Sequence, residues 1–216
     1  VVMADDKAKP LLPSGENRDS WQFHQILLFL RENPEFAPRA KKSDSLFSES
    51  YVAALASRYQ QGLSPRSPQA PKTVSDPMVS VVLEVFFSLP SEELPRVALE
   101  HSQSMAAENI VGDLLERYIA QVMEPMGWVW CAGDVVRKID FLVKGSTESP
   151  ALIPMQIKNR DNTENSSSAA IRDGTRIEKW FRTFSRSGKT NWSALPYTTP
   201  GVELSEEGFV DFARSY

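Results

Sequence analysis

Cysteine and histidine are almost missing from this 216-residue chain. Cys131 is the one thiol, and His24 and His101 are the two imidazoles. A single cysteine excludes an internal disulfide and a cysteine-rich zinc site. Two histidines so far apart do not suggest a histidine-based metal site or a nucleophilic triad. Long apolar runs are missing too. The longest, residues 79–89, is interrupted by Glu84, which reads as a buried helix and is too short to span a bilayer. The first residues carry acids and no apolar stretch of signal type, so residence in the cytoplasm, away from any membrane, is the expectation. An excess of positive charge is also lacking: the net charge is −4, which argues against nonspecific coating of polyanions.

What is present is an ordinary globular composition, 41% apolar and 24% charged, at a length that can bury a sizeable core. Charge is unevenly placed. Residues 156–190 hold eight Lys/Arg against four acids, a local excess of +4 in a chain that is acidic overall. A basic segment on an acidic protein fits a directed polyanion site.

The apolar periodicity divides the chain. Asp19-Ser20 caps a helix through Leu30, ended by Pro34 and Pro38. Further helices are expected over residues 45–60, 78–88 and 92–104, with a proline-rich loop over 62–77. The clearest helix is 105–126, whose apolar stripe runs through Val111, Leu115, Tyr118, Ile119 and Val122. Three short strands follow, at 128–131, 137–143 and 152–158. Pro154 in the last implies an edge position or a bulge. A polar run then leads to a helix starting near Ala169, with Ile177, Trp180, Phe181 and Phe184 on its apolar face. The five tryptophans read as core. The fold class is therefore α/β (α+β): a small mixed sheet flanked by helices, with a helical region over 1–104 packed on a core over 105–216.

Chemistry concentrates in that second half. Asp140 interrupts an apolar strand, and a lone acid there is costly to bury unless paired or bound to metal. The alternative is a wet strand face made by Lys138, Asp140 and Leu142. Gln156 and Lys158 alternate with Met155 and Ile157, so they share one strand face. A carboxylate, an amide oxygen and a lysine brought together can hold a divalent cation beside a phosphodiester. The preceding helix adds Gly112 and, one turn on, Glu116. Glycine at 112 allows a close approach to the backbone. Glu116 is the candidate inward carboxylate, Glu108 its rival, and both could equally be solvated.

Glycine and glutamate on a helix, Gly127-Trp128 opening a strand, an aspartate, then an acid-x-Lys element is the order of motifs in the PD-(D/E)XK nucleases. Longer blocks resemble one group of them: residues 107–112, Lys138-Ile139-Asp140, 156–168 and 174–182 are similar to the SinI/AvaII-type restriction endonucleases. The resemblance covers roughly residues 100–185, and the block after Lys158 is its most specific part. It implies a restriction-endonuclease-like core and a prokaryotic, cytoplasmic, Mg²⁺-dependent enzyme that cuts double-stranded DNA at GGWCC and leaves 5′-phosphates. It also implies a homodimer and a cognate DNA methyltransferase coupled in function, without implied contact. Carried over, Asp140 is the principal metal ligand, Glu116 a helix carboxylate acting directly or through water, and Lys158 the group that orients the attacking water. Gln156 stands where the pattern has Glu or Asp. Its amide oxygen can coordinate but brings no charge.

The polar block after Lys158 supplies the candidate DNA contacts. Arginine can bond guanine in a bidentate way and carboxylates can accept from cytosine, which suits Arg160 with Asp161 and Arg172 with Asp173. Asn165, Ser166, Ser167 and Ser168 can read base edges or phosphates, or cap the next helix. Lys179, Arg182, Arg186 and Lys189 fit phosphate contacts or solvated helix charges, and Arg176 completes the candidate DNA-binding set. Two alternatives stay open: a structure-specific or repair nuclease of the same superfamily, and a catalytically degenerate DNA-binding protein.

Overall fold

The computed structural model describes residues 16–40, 45–72, 76–144, 152–161, 176–198 and 201–216. Among these are five α-helices, α1 (Glu16–Glu32), α2 (Glu49–Leu63), α3 (Pro77–Phe87), α4 (Leu94–Met123) and α5 (Glu206–Ser215). Four strands, β1 (Val129–Trp130), β2 (Phe141–Lys144), β3 (Leu152–Arg160) and β4 (Glu178–Thr183), form one sheet in that order. β1–β2 and β2–β3 are antiparallel and β3–β4 parallel. The architecture is thus α/β with a small mixed sheet, as expected. Among the described residues no helix is long and apolar enough to cross a membrane.

By contacts the chain forms two units, residues 1–64 with 116–216, and residues 65–115. Helices α1 and α2 fall in the same unit as the sheet. In the larger unit the sheet contributes Val129, Phe141, Leu142, Met155 and Trp180 to the core, all at most 2% exposed. Ile26 and Leu30 of α1, Leu55 and Tyr59 of α2, and Ile119 and Met123 of α4 are buried too. Gln22 of α1 donates to the Trp128 carbonyl (3.1 Å), giving a buried amide its partner. Arg117 donates to the carbonyls of Gly62, Leu63 and Ser64 at 2.8, 3.0 and 2.7 Å. A cation at that position satisfies the orphan carbonyls at the end of α2 and complements its dipole.

Three expectations are corrected. Residues 92–104 and 105–126 are not separate helices: α4 runs unbroken, since Pro95 sits in its first turn, where a missing N–H costs nothing. The strand expected at 137–143 begins only at Phe141, after a turn in which Lys138 takes φ +65°. Residues 178–183 are strand, not helix. Their backbone pairs with β3, with Gln156 opposite Lys179 and Lys158 opposite Phe181, and Thr183 Oγ1 donates to the Asn159 carbonyl (3.0 Å). Pro154 behaves as expected. Met155 turns its carbonyl toward β2, so Pro154 turns its missing donor the other way, where β4 pairs only from Met155 onward.

Glu124, just after α4, has its carboxyl pushed up to about 7 by burial, with Arg18 opposing and Asp19 adding to the rise. A raised acid binds its proton more tightly folded than unfolded, so stability falls as pH climbs from about 4.5 to 7. Glu124→Gln should therefore stabilise the protein by about 2 kcal/mol at pH 8 and not at pH 4. Urea titrations at the two pH values check this, and an equal effect at both would exclude titration of Glu124 as its source.

Candidate active site

Asp140 lies at an irregularity in the sheet. Phe141 is registered with Met155, yet the Asp140 amide also donates to the Met155 carbonyl (2.9 Å). Two consecutive residues thus oppose one, which is a bulge, and bulges re-aim side chains. Here the carboxylate is turned back onto β3, where Oδ2 accepts from the Ile157 amide at 2.6 Å. That amide lies between Gln156 and Lys158. Its other flank is tied down as well, because the Cys131 amide donates to the Asp140 carbonyl (2.9 Å).

Burial pushes the Asp140 carboxyl up to about 6; the Lys158 charge and the Ile157 N–H pull it down, and Asp134 adds to the rise. The aspartate, the lysine and the Gln156–Lys158 backbone therefore meet as expected, although at a bulge and not mid-strand. Gln156 is 6% exposed and Lys158 half-buried.

Glu116 is half-buried and accepts from Trp130 Nε1 at 3.0 Å. The buried Cys131 thiol is held well above its usual range, first by burial and then by the charges of Asp140 and Glu116. Glu108 is exposed and belongs to the 65–115 unit. The close approach expected at Gly112 is not made within the described chain, where a Cβ would meet nothing within 4 Å.

These groups suit a hard divalent cation. Among the described residues no three of His, Cys, Asp and Glu cluster to hold a metal, and both histidines are exposed. The candidate donors are oxygens: the carboxylates of Asp140 and Glu116 and the amide of Gln156. Mg²⁺ prefers such ligands and keeps several waters, so a sparse set is compatible with it. A buried carboxylate beside a lysine also gains by meeting a second cation.

The candidate DNA contacts fall into three groups. Asn165, Ser166, Ser167, Ser168, Arg172 and Asp173 lie outside the described residues. Arg160, at the end of β3, and Arg176, just before β4, are exposed, while Lys179 is half-buried opposite Gln156. The last two of the set are engaged within the fold. Asp161 Oδ1 accepts from the Ser185 amide (2.8 Å). Arg182 donates from Nε to Asn159 Oδ1 (3.0 Å), pairs with Glu206, and sits over the Phe209 ring. That geometry makes Arg182 a clamp between β4 and α5.

Trp130, Cys131 and Asp134 stand around Asp140 and Glu116 without having been singled out from sequence as site residues. One signal was available for Trp130: a buried indole N–H needs an acceptor, and Glu116 on the preceding helix supplies it.

Known proteins carry the same sequence organisation. The chain is 43% identical over 219 aligned positions to the type II restriction enzyme Eco47I of Escherichia coli, covering all of this chain and 95% of the relative. The type II restriction enzyme SinI of Salmonella infantis matches with the same identity and coverage. The family model described as SinI restriction endonuclease matches residues 5–216. With the match running through α1 to α5 and including every residue around Asp140, the chain belongs to the SinI restriction endonuclease family.

Proposed function

We propose that this chain is a type II restriction endonuclease of the PD-(D/E)XK kind, which hydrolyses both strands of double-stranded DNA at GGWCC, with Mg²⁺, as a homodimer. The observation that carries the chemistry is the buried Asp140 carboxylate, held on the Ile157 amide between Gln156 and Lys158. Full-length similarity to two type II restriction enzymes supports the same reading.

Asp140, Gln156 and Glu116 would hold the cation. When bound, it supplies positive charge that lowers the pKa of water and offsets charge gathering on the phosphate. The protein does the rest by position. The bulge and the Ile157 N–H fix the direction of the Asp140 carboxylate before substrate arrives, so little reorganisation remains at the transition state. Lys158 places a second positive charge beside the reacting phosphate and orients the water. That water attacks phosphorus in line with the 3′ oxygen; the P–O3′ bond breaks, and the products are a 3′-hydroxyl and a 5′-phosphate. Arg160, with the residues after it up to Asp173, supplies base-edge contacts for a G·C-rich site, and Arg176 and Lys179 meet phosphates.

Incubating the protein with plasmid and Mg²⁺, then sequencing the fragment ends, tests the reading. Discrete fragments with 5′-phosphates at GGWCC are expected. Cutting confined to branched DNA would favour a structure-specific nuclease. Intact plasmid with a mobility shift would favour a degenerate DNA-binding protein, a reading that Gln156 in the place of an acid keeps in view.

Gln156→Glu addresses that position directly. A carboxylate there adds charge to the cation site, so the Mg²⁺ concentration giving half-maximal cleavage should fall by about tenfold, roughly 1.4 kcal/mol. An unchanged Mg²⁺ dependence, with cleavage intact, would remove residue 156 from the ligand set.

A further inference from the structure

The stretch of β3 that carries Gln156, Lys158 and Arg160 leans on β4. Pairing with β2 ends at Met155, while β4 runs alongside from Met155 to Arg160. From the β2 side the Asp140 carboxylate reaches the Ile157 amide, one residue short of Lys158. In paired strands the side chains alternate faces together. Lys158 stands opposite Phe181 and Arg160 opposite Thr183, so Asn159 turns to the other face, on the side of Arg182.

Asn159 is held there twice. Its Oδ1 accepts from Arg182 Nε (3.0 Å), and its carbonyl accepts from Thr183 Oγ1 (3.0 Å). Arg182 is in turn fixed by α5: Nη1 pairs with Glu206, and the guanidinium lies 5.1 Å from the centre of the Phe209 ring. The second Glu206 oxygen accepts from Trp192 Nε1 at 2.9 Å. Glu206 stands in the first turn of α5, where a carboxylate is favoured by the helix dipole. A chain of bonds therefore runs from α5, through a planar and rigid guanidinium, to the residue next to Lys158. Fixing one residue of a strand fixes the direction of its neighbours, because successive side chains take opposite faces. A phosphate contact needs accessible, unmatched charge. The Arg182 side chain is 13% exposed and its charge is matched by Glu206.

We propose that Arg182 is a positioning residue for Lys158, acting through Asn159, and not a phosphate contact. The proposal rests on the nuclease reading, in which Lys158 orients the attacking water. Arginine suits the place because its fork bonds two acceptors in fixed directions. A lysine ammonium on a flexible stem does not hold both Asn159 and Glu206.

Arg182→Lys, Asn159→Ala and the double variant test this in the full chain. The first measurement is hydrogen exchange without DNA or metal. Amides of residues 157–160 should exchange about tenfold faster in each variant, while those of residues 141–143 keep their wild-type rates. Acceleration across the whole sheet would mark a merely structural role, and unchanged rates at 157–160 would leave Arg182 nothing to hold; either overturns the proposal. The second measurement is steady-state cleavage of a GGWCC duplex with Mg²⁺, beside DNA binding across a salt series. In each single variant kcat should fall about tenfold or more, with KM within about twofold. The double variant should be no slower than the slower single one, as for two residues on one path. The slope of log affinity against log salt should match wild type. A slope shallower by about one makes Arg182 a phosphate contact and overturns the proposal, as do wild-type kcat or effects that multiply. Should Arg182→Lys not fold, Asn159→Ala carries both measurements, since it keeps the pair of Arg182 with Glu206. A wild type that leaves DNA intact counts against the nuclease reading, and hydrogen exchange then decides by itself whether Arg182 holds the end of β3.

Discussion

Asp140→Asn is expected to abolish DNA cleavage while making the metal-free protein more stable. The two effects share one cause. Burial raises the Asp140 carboxyl to about 6 despite the help of Lys158 and the Ile157 N–H. Below about pH 3.8 the side chain is protonated folded and unfolded alike, and nothing is lost. Between 3.8 and 6 the folded state keeps a proton that the unfolded state releases, so stability declines as pH rises. Above about 6 the full cost of the buried charge is present. Asparagine is isosteric, can still accept from the Ile157 amide, and carries no charge to bury. In EDTA at pH 8 the variant should be more stable by roughly 1–3 kcal/mol, and at pH 3.5 indistinguishable from wild type.

Added Mg²⁺ should reverse the order. Wild type gains by mass action whatever its cation affinity allows, and the variant gains little. Cleavage should drop by about a thousandfold or more, equivalent to ~4 kcal/mol of barrier. Thermal melts with and without Mg²⁺, beside a plasmid digest, read both effects. A variant that cuts DNA at the wild-type rate would end the assignment of Asp140. A variant that neither cuts nor loses the Mg²⁺ response would move the cation site elsewhere.

That Asp140 could be singled out from sequence while its setting could not has a physical reason. An acid between Ile139 and Phe141 is anomalous by composition alone. Its position at a bulge depends on a partner strand 15 residues on, and on a turn in which Lys138 adopts φ +65°, a conformation lysine does not advertise. The same contrast runs through the fold. The core stripe of α4 is local and periodic, so it is legible. Strand β4 is not, because Ile177, Trp180, Phe181 and Phe184 recur at helical spacing. What makes the segment extended is its pairing with β3, and the Thr183 and Arg182 side chains that bond to Asn159. Helix α5 is capped by Ser205, whose hydroxyl accepts from the Gly208 amide, but it buries only Phe209, too thin a signal to separate from the loops around it. Glu116 was legible as a candidate and not as a choice over Glu108; its bond to Trp130 crosses from helix to strand.

Gly133→Ala is expected to cost the most stability of any small substitution in the larger unit, because α2 and the turn before Asp140 meet backbone to backbone. Gly133 sits at φ +78°, and a Cβ there would come within 2.8 Å of the Arg58 carbonyl carbon and closer still to its oxygen. A Cβ on Gly62 would lie 2.6 Å from the Gly133 Cα. Neither obstacle is the end of a flexible side chain, so relief requires α2 to move off the turn. Left-handed backbone in alanine adds about 1–2 kcal/mol. A total loss of about 4 kcal/mol or more is expected, a large share of the 5–15 kcal/mol typical of a folded domain. For a chain of this length that lowers the melting temperature by about 8–16 °C. The damage reaches the site, since the same turn carries Asp134 and leads from Cys131, whose amide holds the Asp140 carbonyl. Cleavage by the fraction that stays folded should therefore fall as well. Gly112→Ala is the control of identical chemistry and opposite sign: it lies within α4, with nothing in reach of a Cβ. It should stabilise the helix by about 0.5–1 kcal/mol. Equal effects of the two substitutions would show that the contact between α2 and the turn does not hold the site in place.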